Sequence, residues 1–186
     1  MFEPRRSLPL IALGLIAAVV PMLLWLAAQR QNPDFKPWPP EDRKSFNMDI
    51  VLPTLHGDTL RLADFQGYVV LVNFWATWCY PCRAEMPSMN ALYLSYRDKG
   101  FTIVAVASDT QGRAIVAPYA DQHNLAFPIL LDPQNTIGSR LQLSGIPTSY
   151  LLDQYGRVAS LQVGARDWNG RHMRRLINAL LAEARK

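Results

Sequence analysis

The chain has 186 residues, 49% of them hydrophobic and 10% aromatic. That is enough for one domain with a packed core plus a further segment, so folding does not need a disulfide framework. The net charge of +4 is scattered, and no aromatic residues interleave with the basic ones, which argues against a nucleic-acid platform. The densest basic run, Arg166, Arg171, Arg174, Arg175, Arg185 and Lys186, reads as the solvated face of a terminal helix.

Residues 8–28, "LPLIALGLIAAVVPMLLWLAA", contain no charged side chain. As a helix they would rise about 31 Å, close to the hydrocarbon thickness of a bilayer. Arg5 and Arg6 precede the run, and Trp25 sits near its outer end, where an interfacial aromatic belongs. Pro21 would kink a soluble helix but is tolerated in a membrane. The run exceeds the about 7–15 residues of a signal-peptide core, and no Ala-x-Ala cleavage site follows it. An uncleaved signal anchor is therefore expected. Residues 1–7 would lie in the cytoplasm and everything after residue 28 outside it, a single-pass arrangement in the inner membrane with the C-terminal domain in the periplasm.

Residues 29–44 carry prolines at 33, 37, 39 and 40 and read as a semi-rigid extended tether. From residue 45 the pattern becomes that of a folded domain extending to 186. "DIVLP" and "TLRLADFQG" read as short strands around a turn at His56-Gly57-Asp58. "YVVLVNFWA" (68–76) is a continuous β-branched and aromatic run, typical of a strand buried on both faces. A helix is expected from Cys79 through Met86, Met89, Leu92 and Tyr96, stopping at Lys99-Gly100. "FTIVAVAS" and "FPILLD" are two further strands, with short helices over 114–122 and 135–142. "TSYLLD" and "RVASLQVG" form a hairpin around Gln154-Tyr155-Gly156. An amphipathic helix is expected over 168–186. Strands alternating with helices, then a hairpin and a helix, predict an α/β sandwich around a mixed sheet.

The only two cysteines are Cys79 and Cys82. Two thiols make a poor zinc site, and His56, His123 and His172 lie too far apart to show ligand spacing, so no metal and no cofactor are expected. A staple across so short a loop adds little chain-entropy stabilisation. A reactive pair is favoured. Where a buried strand meets a helix, unsatisfied N–H groups and the helix dipole stabilise a thiolate on the first cysteine. The second, one turn inside, can then attack the mixed disulfide. On this reading Cys79 attacks and Cys82 resolves.

"VVLVNFWATWCYPCRAEMP" resembles the active-site segment of the thioredoxin superfamily. More narrowly it is similar to the membrane-anchored branch typified by TlpA and ResA, with CcmG close by. "GIPTSYLLDQYGRV" (145–158) matches that family's second signature, which implies that Pro147 is cis, flanked by Ile146 and Thr148, and that this loop offers backbone groups to an incoming peptide. The resemblance implies a thioredoxin-like domain over 45–186 behind one transmembrane helix. It also implies substrate contacts at Trp78, Tyr80, Pro81, Ile146, Pro147 and Thr148, and a kink of the active-site helix at Pro87. Trp75 is as consistent with core packing as with the site. Asn73 stands where thioredoxin has a buried acid. Glu85 matches the acid that the TlpA and ResA branch carries on the helix, although a first-turn glutamate favoured by the dipole is the plainer account.

The resemblance implies a thiol–disulfide oxidoreductase, acting as a reductase on disulfide-containing extracytoplasmic proteins such as apocytochrome c. Re-reduction by a membrane electron conduit of the DsbD/CcdA type goes with it. Two alternatives stay open: a peroxiredoxin-like peroxidase, and a non-catalytic thiol-based binding or copper-handling module.

Overall fold

A computed structural model describes residues 37–183. The expected anchor at 8–28 lies outside them. Among the described residues no helix is long and apolar enough to cross a membrane.

Strand β3 (Val69–Trp75) is buried at every position. A strand with no solvent face needs partners on both edges. It pairs in parallel with β4 (Phe101–Ala107) and antiparallel with β6 (Thr148–Leu152). β5 (Ile129–Leu131) and β7 (Val158–Val163) complete a five-stranded mixed sheet in the order β5-β4-β3-β6-β7. β1 (Val51–Pro53) and β2 (Thr59–Arg61) form a separate antiparallel hairpin, as their turn residues predicted.

Among the described residues four α-helices accompany these strands: α1 (Tyr80–Tyr96), α2 (Arg113–Gln122), α3 (Thr136–Arg140) and α4 (Arg171–Glu183). In α1 the buried residues Cys82, Glu85, Met86, Met89, Leu92 and Tyr96 recur at helical spacing and form one stripe. The helix runs on through Pro87, and Gly100 in the left-handed region terminates the following turn. Helix α4 starts at Arg171, three residues later than the apolar periodicity suggests. Trp168 is fully buried and its backbone N–H donates to Ser88 Oγ, so it belongs to the preceding turn.

The last residues of the proline-rich stretch pack onto the domain. The Trp38 amide donates to the Ala159 carbonyl of β7 at 2.8 Å. Arg43 is buried, and its guanidinium donates to Asp153 at 3.1 Å and to both oxygens of Glu183 at 2.6 and 2.9 Å. Asp153 also accepts from the Arg157 side chain. Burial alone would raise the Asp153 carboxyl, but the Arg157 and Arg43 donors outweigh it and hold it below its ordinary range. Removing one member of such a cluster leaves a buried charge short of partners. Arg43→Ala is therefore expected to cost about 3 kcal/mol in urea unfolding, near the low end for a buried pair because Asp153 keeps Arg157. A loss below about 1 kcal/mol would place the cluster with ordinary surface pairs.

Candidate active site

Leaving β3 at Trp75, the chain makes a short loop before α1 begins. Asp109, buried just beyond β4, shapes that loop. Its carboxylate accepts from the Thr77 backbone N–H at 3.0 Å and from the Thr77 hydroxyl at 2.5 Å. Cys79 follows as the N-cap of α1. Its sulfur accepts from the Cys82 backbone N–H at 3.3 Å, so one orphan donor of the helix start points at it. Cys79 and Cys82 form a disulfide, with Cys82 fully buried and Cys79 5% exposed. Of the two cysteines only Cys79 keeps any exposed surface.

The Ile146–Pro147 peptide bond is cis, as the sequence signature implied. The Ile146 carbonyl oxygen lies 3.8 Å from Cys79 Sγ. Pro147 and Thr148 are buried, and the Thr148 hydroxyl donates to the Gly145 carbonyl at 2.6 Å. Trp78 and Tyr80 are 69% and 74% exposed and, with exposed Pro81, form a rim around the disulfide. Trp75 is fully buried with its ring 5.5 Å from that of Tyr119, which makes it a core residue.

One turn below Cys82, Glu85 is buried at 2% exposure. Its Oε1 accepts from Asn73 Nδ2 at 2.8 Å. Its Oε2 accepts from the Trp168 indole N–H at 2.8 Å and from the Arg166 backbone N–H at 3.3 Å. A first-turn glutamate stabilised only by the helix dipole would point to water. This one is drawn inside by three donors. Burial pushes its pKa above the ordinary carboxylate range, although the Trp168, Asn73 and Arg166 donors and the Arg166 charge pull the other way. Asn73 donates through its remaining N–H to Ser149 Oγ at 2.9 Å, and its Oδ1 has no hydrogen-bond partner. Reversing that amide would present Oδ1 to a protonated Glu85, so the cluster can accommodate either charge state.

The profile of the AhpC/TSA family matches residues 45–161, well over half of the chain. The chain belongs to that family. Within it, the chain is 39% identical over 116 residues to the thiol–disulfide oxidoreductase ResA of Geobacillus kaustophilus, an alignment covering 62% of this chain and 66% of that one. It is 42% identical over 118 residues to the thioredoxin-like protein YneN of Bacillus subtilis, covering 62% and 68%. The chain thus spans about two thirds of the length of these relatives. The crystal structure of a Chlorobium tepidum protein provisionally designated thiol:disulfide interchange protein DsbE superposes with a TM-score of 0.68 at 34% identity. It covers 75% of this chain and 98% of that one. The fold is thioredoxin-like, and the Geobacillus relative is named as a thiol–disulfide oxidoreductase, an enzyme of the class expected from the cysteine pair.

The sequence pointed to Cys79, Cys82, Glu85 and the Pro147 loop, and the fold brings all of them to one end of β3. Trp168, Ser149 and Asp109 were not anticipated. An aromatic just before an amphipathic helix was the one available signal for Trp168, and it was read as part of the helix.

Because the Glu85 pKa is raised in the fold, its contribution to stability is complete below the ordinary carboxylate range. That contribution is lost as pH rises through the raised value. Trp168→Phe removes one donor to the carboxylate. It is expected to cost about 1.5–3 kcal/mol at a pH where Glu85 is ionised, and less in acid, where the hydrogen bond lost is a neutral one. The carboxylic C=O infrared band should correspondingly titrate at higher pH than in the wild type. Equal unfolding costs at pH 4 and pH 8 (approximate limits spanning the carboxylate range) would show that only the lost indole packing counts.

Proposed function

We propose that this protein is a disulfide reductase working outside the cytoplasm, held to the membrane by residues 8–28. The observation that carries the catalytic reading is the asymmetry of the pair. Cys79 caps α1, receives a helix-start N–H and keeps 5% of its surface exposed, whereas Cys82 is sealed completely. In the reduced enzyme the same N–H and the helix dipole favour a Cys79 thiolate. That thiolate attacks one sulfur of a substrate disulfide, and the other substrate sulfur leaves as a thiolate. Cys82, after losing its proton, attacks Cys79 Sγ, and the substrate sulfur bonded to Cys79 departs as a thiolate. Two electrons have then passed to the substrate, two protons complete its thiols, and the enzyme holds the Cys79–Cys82 disulfide.

Glu85, one turn from Cys82, is the group that takes the Cys82 proton. Burial raises its pKa, so its carboxylate takes up a proton more readily than a surface carboxylate does. In an oxidising compartment disulfides form readily, so a dedicated donor is needed to break them. The substrates are disulfide-containing extracytoplasmic proteins, with the cysteine pair of apocytochrome c as the leading example. A membrane electron conduit of the DsbD/CcdA type returns the enzyme to its dithiol form.

Cys82→Ala should accumulate mixed disulfides in cells, by about tenfold or more over the wild type, because only the resolving step is lost. Cys79→Ser should show none on non-reducing gels. Equal trapping through both positions would remove the division of labour. Absence of insulin reduction with dithiothreitol would instead favour a binding module.

The placement has its own check. The full-length protein is expected to stay in the pellet after alkaline carbonate extraction, with the domain open to protease in spheroplasts. Recovery of a soluble form beginning near Gln29 would replace the anchor with a cleaved signal.

A further inference from the structure

Helix α1 has a second stripe that, apart from Tyr80 of the rim, none of the chemistry above uses. Tyr80, Arg83, Ala91 and Leu94 follow one another at helical spacing on the face away from the sheet, and Tyr80 and Leu94 are 74% and 50% exposed. Together with Tyr119 of α2 and His123 at its C-terminal end, they line an open cavity of about 550 Å³. Tyr80 to Leu94 spans about 21 Å of helix, room for roughly six residues of extended peptide.

The walls are built, not incidental. Asn90 of α1 donates to the Asn124 carbonyl at 3.0 Å and accepts from the Ala126 amide at 2.8 Å, tying the loop after α2 to the helix. The Tyr119 ring packs between Trp75, at 5.5 Å, and His123, at 4.2 Å. The groove also has a sign. No Asp or Glu lines it, while Arg83, its one permanent cation, forms no ion pair among the described residues and lies 5.8 Å from the Tyr80 ring. It is continuous with the active site, because its first wall, Tyr80, directly follows Cys79.

We propose that this groove binds the part of the substrate polypeptide flanking its disulfide, and selects flanks that carry bulky apolar side chains and a carboxylate. The inference builds on the oxidoreductase reading of Cys79 and Cys82. An apolar side chain seats against Ala91, Leu94 and Tyr119, and a carboxylate pairs with Arg83 near the disulfide. A second copy of this chain, with a net charge of +4, is a poor match for a cationic groove.

Two synthetic peptides with the same internal disulfide decide the matter, one followed by a Leu-Glu-Leu-Asp flank and one by Gly-Ser-Gly-Lys. Reduction by the wild-type protein should show kcat/KM about tenfold higher for the acidic apolar flank, mainly through KM. Ala91→Trp, which fills the groove, and Leu94→Asp, at an exposed position, should each erase that preference. Reduction of the small disulfide 5,5′-dithiobis(2-nitrobenzoate) should keep its wild-type rate in both variants. Equal kcat/KM for the two peptides, or a preference that survives Ala91→Trp, would overturn the proposal. A third arm uses a cysteine-free version of the acidic peptide and follows the backbone amides of Ala91 and Leu94 by NMR. Binding there, lost in Leu94→Asp, supports the groove even if no disulfide is reduced. No shift of those amides at millimolar peptide counts against the groove whatever the redox activity.

Discussion

A seven-residue strand with no exposed side chain can exist only in the interior of a sheet covered on both faces. That constraint on β3 organises the molecule. Its two edges must be filled, and β4 and β6 fill them in opposite directions, which makes the sheet mixed. Because β4 is parallel, the chain has to return along the sheet between β3 and β4, and α1 is that return. The start of α1 therefore falls at the end of β3, where Cys79 stands. The antiparallel partner β6 begins at the same end, which brings the Pro147 loop opposite the cysteines.

The same burial explains the treatment of Glu85. A carboxylate inside a sheet–helix interface is unfavourable unless donors meet it, and here Asn73 of β3, the Arg166 amide and the Trp168 indole do so. Their number is enough to keep the group inside and too small to cancel the desolvation, so it stays easier to protonate than a surface acid. An asparagine in β3, in place of a second acid, keeps the cluster at one titratable carboxyl. It also gives that carboxyl a neighbour able to donate or accept.

Much of this was legible from sequence because the signals are contiguous. The apolar run of β3, the cysteine spacing and the Gly145–Val158 stretch are each read within a few residues of one another. What stayed hidden depends on partners far apart along the chain. Trp168 and Glu85 are 83 residues apart, Asp109 and Thr77 are 32, and Arg43 and Glu183 are 140. No periodicity links such pairs, and only closure of the sheet brings them together. The start of α4 was misplaced for the same reason. Trp168 looks apolar enough to begin a helix, but its indole N–H already has a partner on α1.

Trp38 joins β7 beside Ala159, and Arg43 docks on Asp153, just after β6. In the sheet register both points lie at the end of the strands away from the cysteines, roughly 15 Å back along β3 from Trp75. Tension applied to the chain ahead of residue 37 would reach the edge strand and the Arg43 ion cluster first. Those contacts are the first part of the load path, ahead of α1. A pull on residue 37 thus enters at the pole opposite the sulfurs, through the edge strand and the ion cluster.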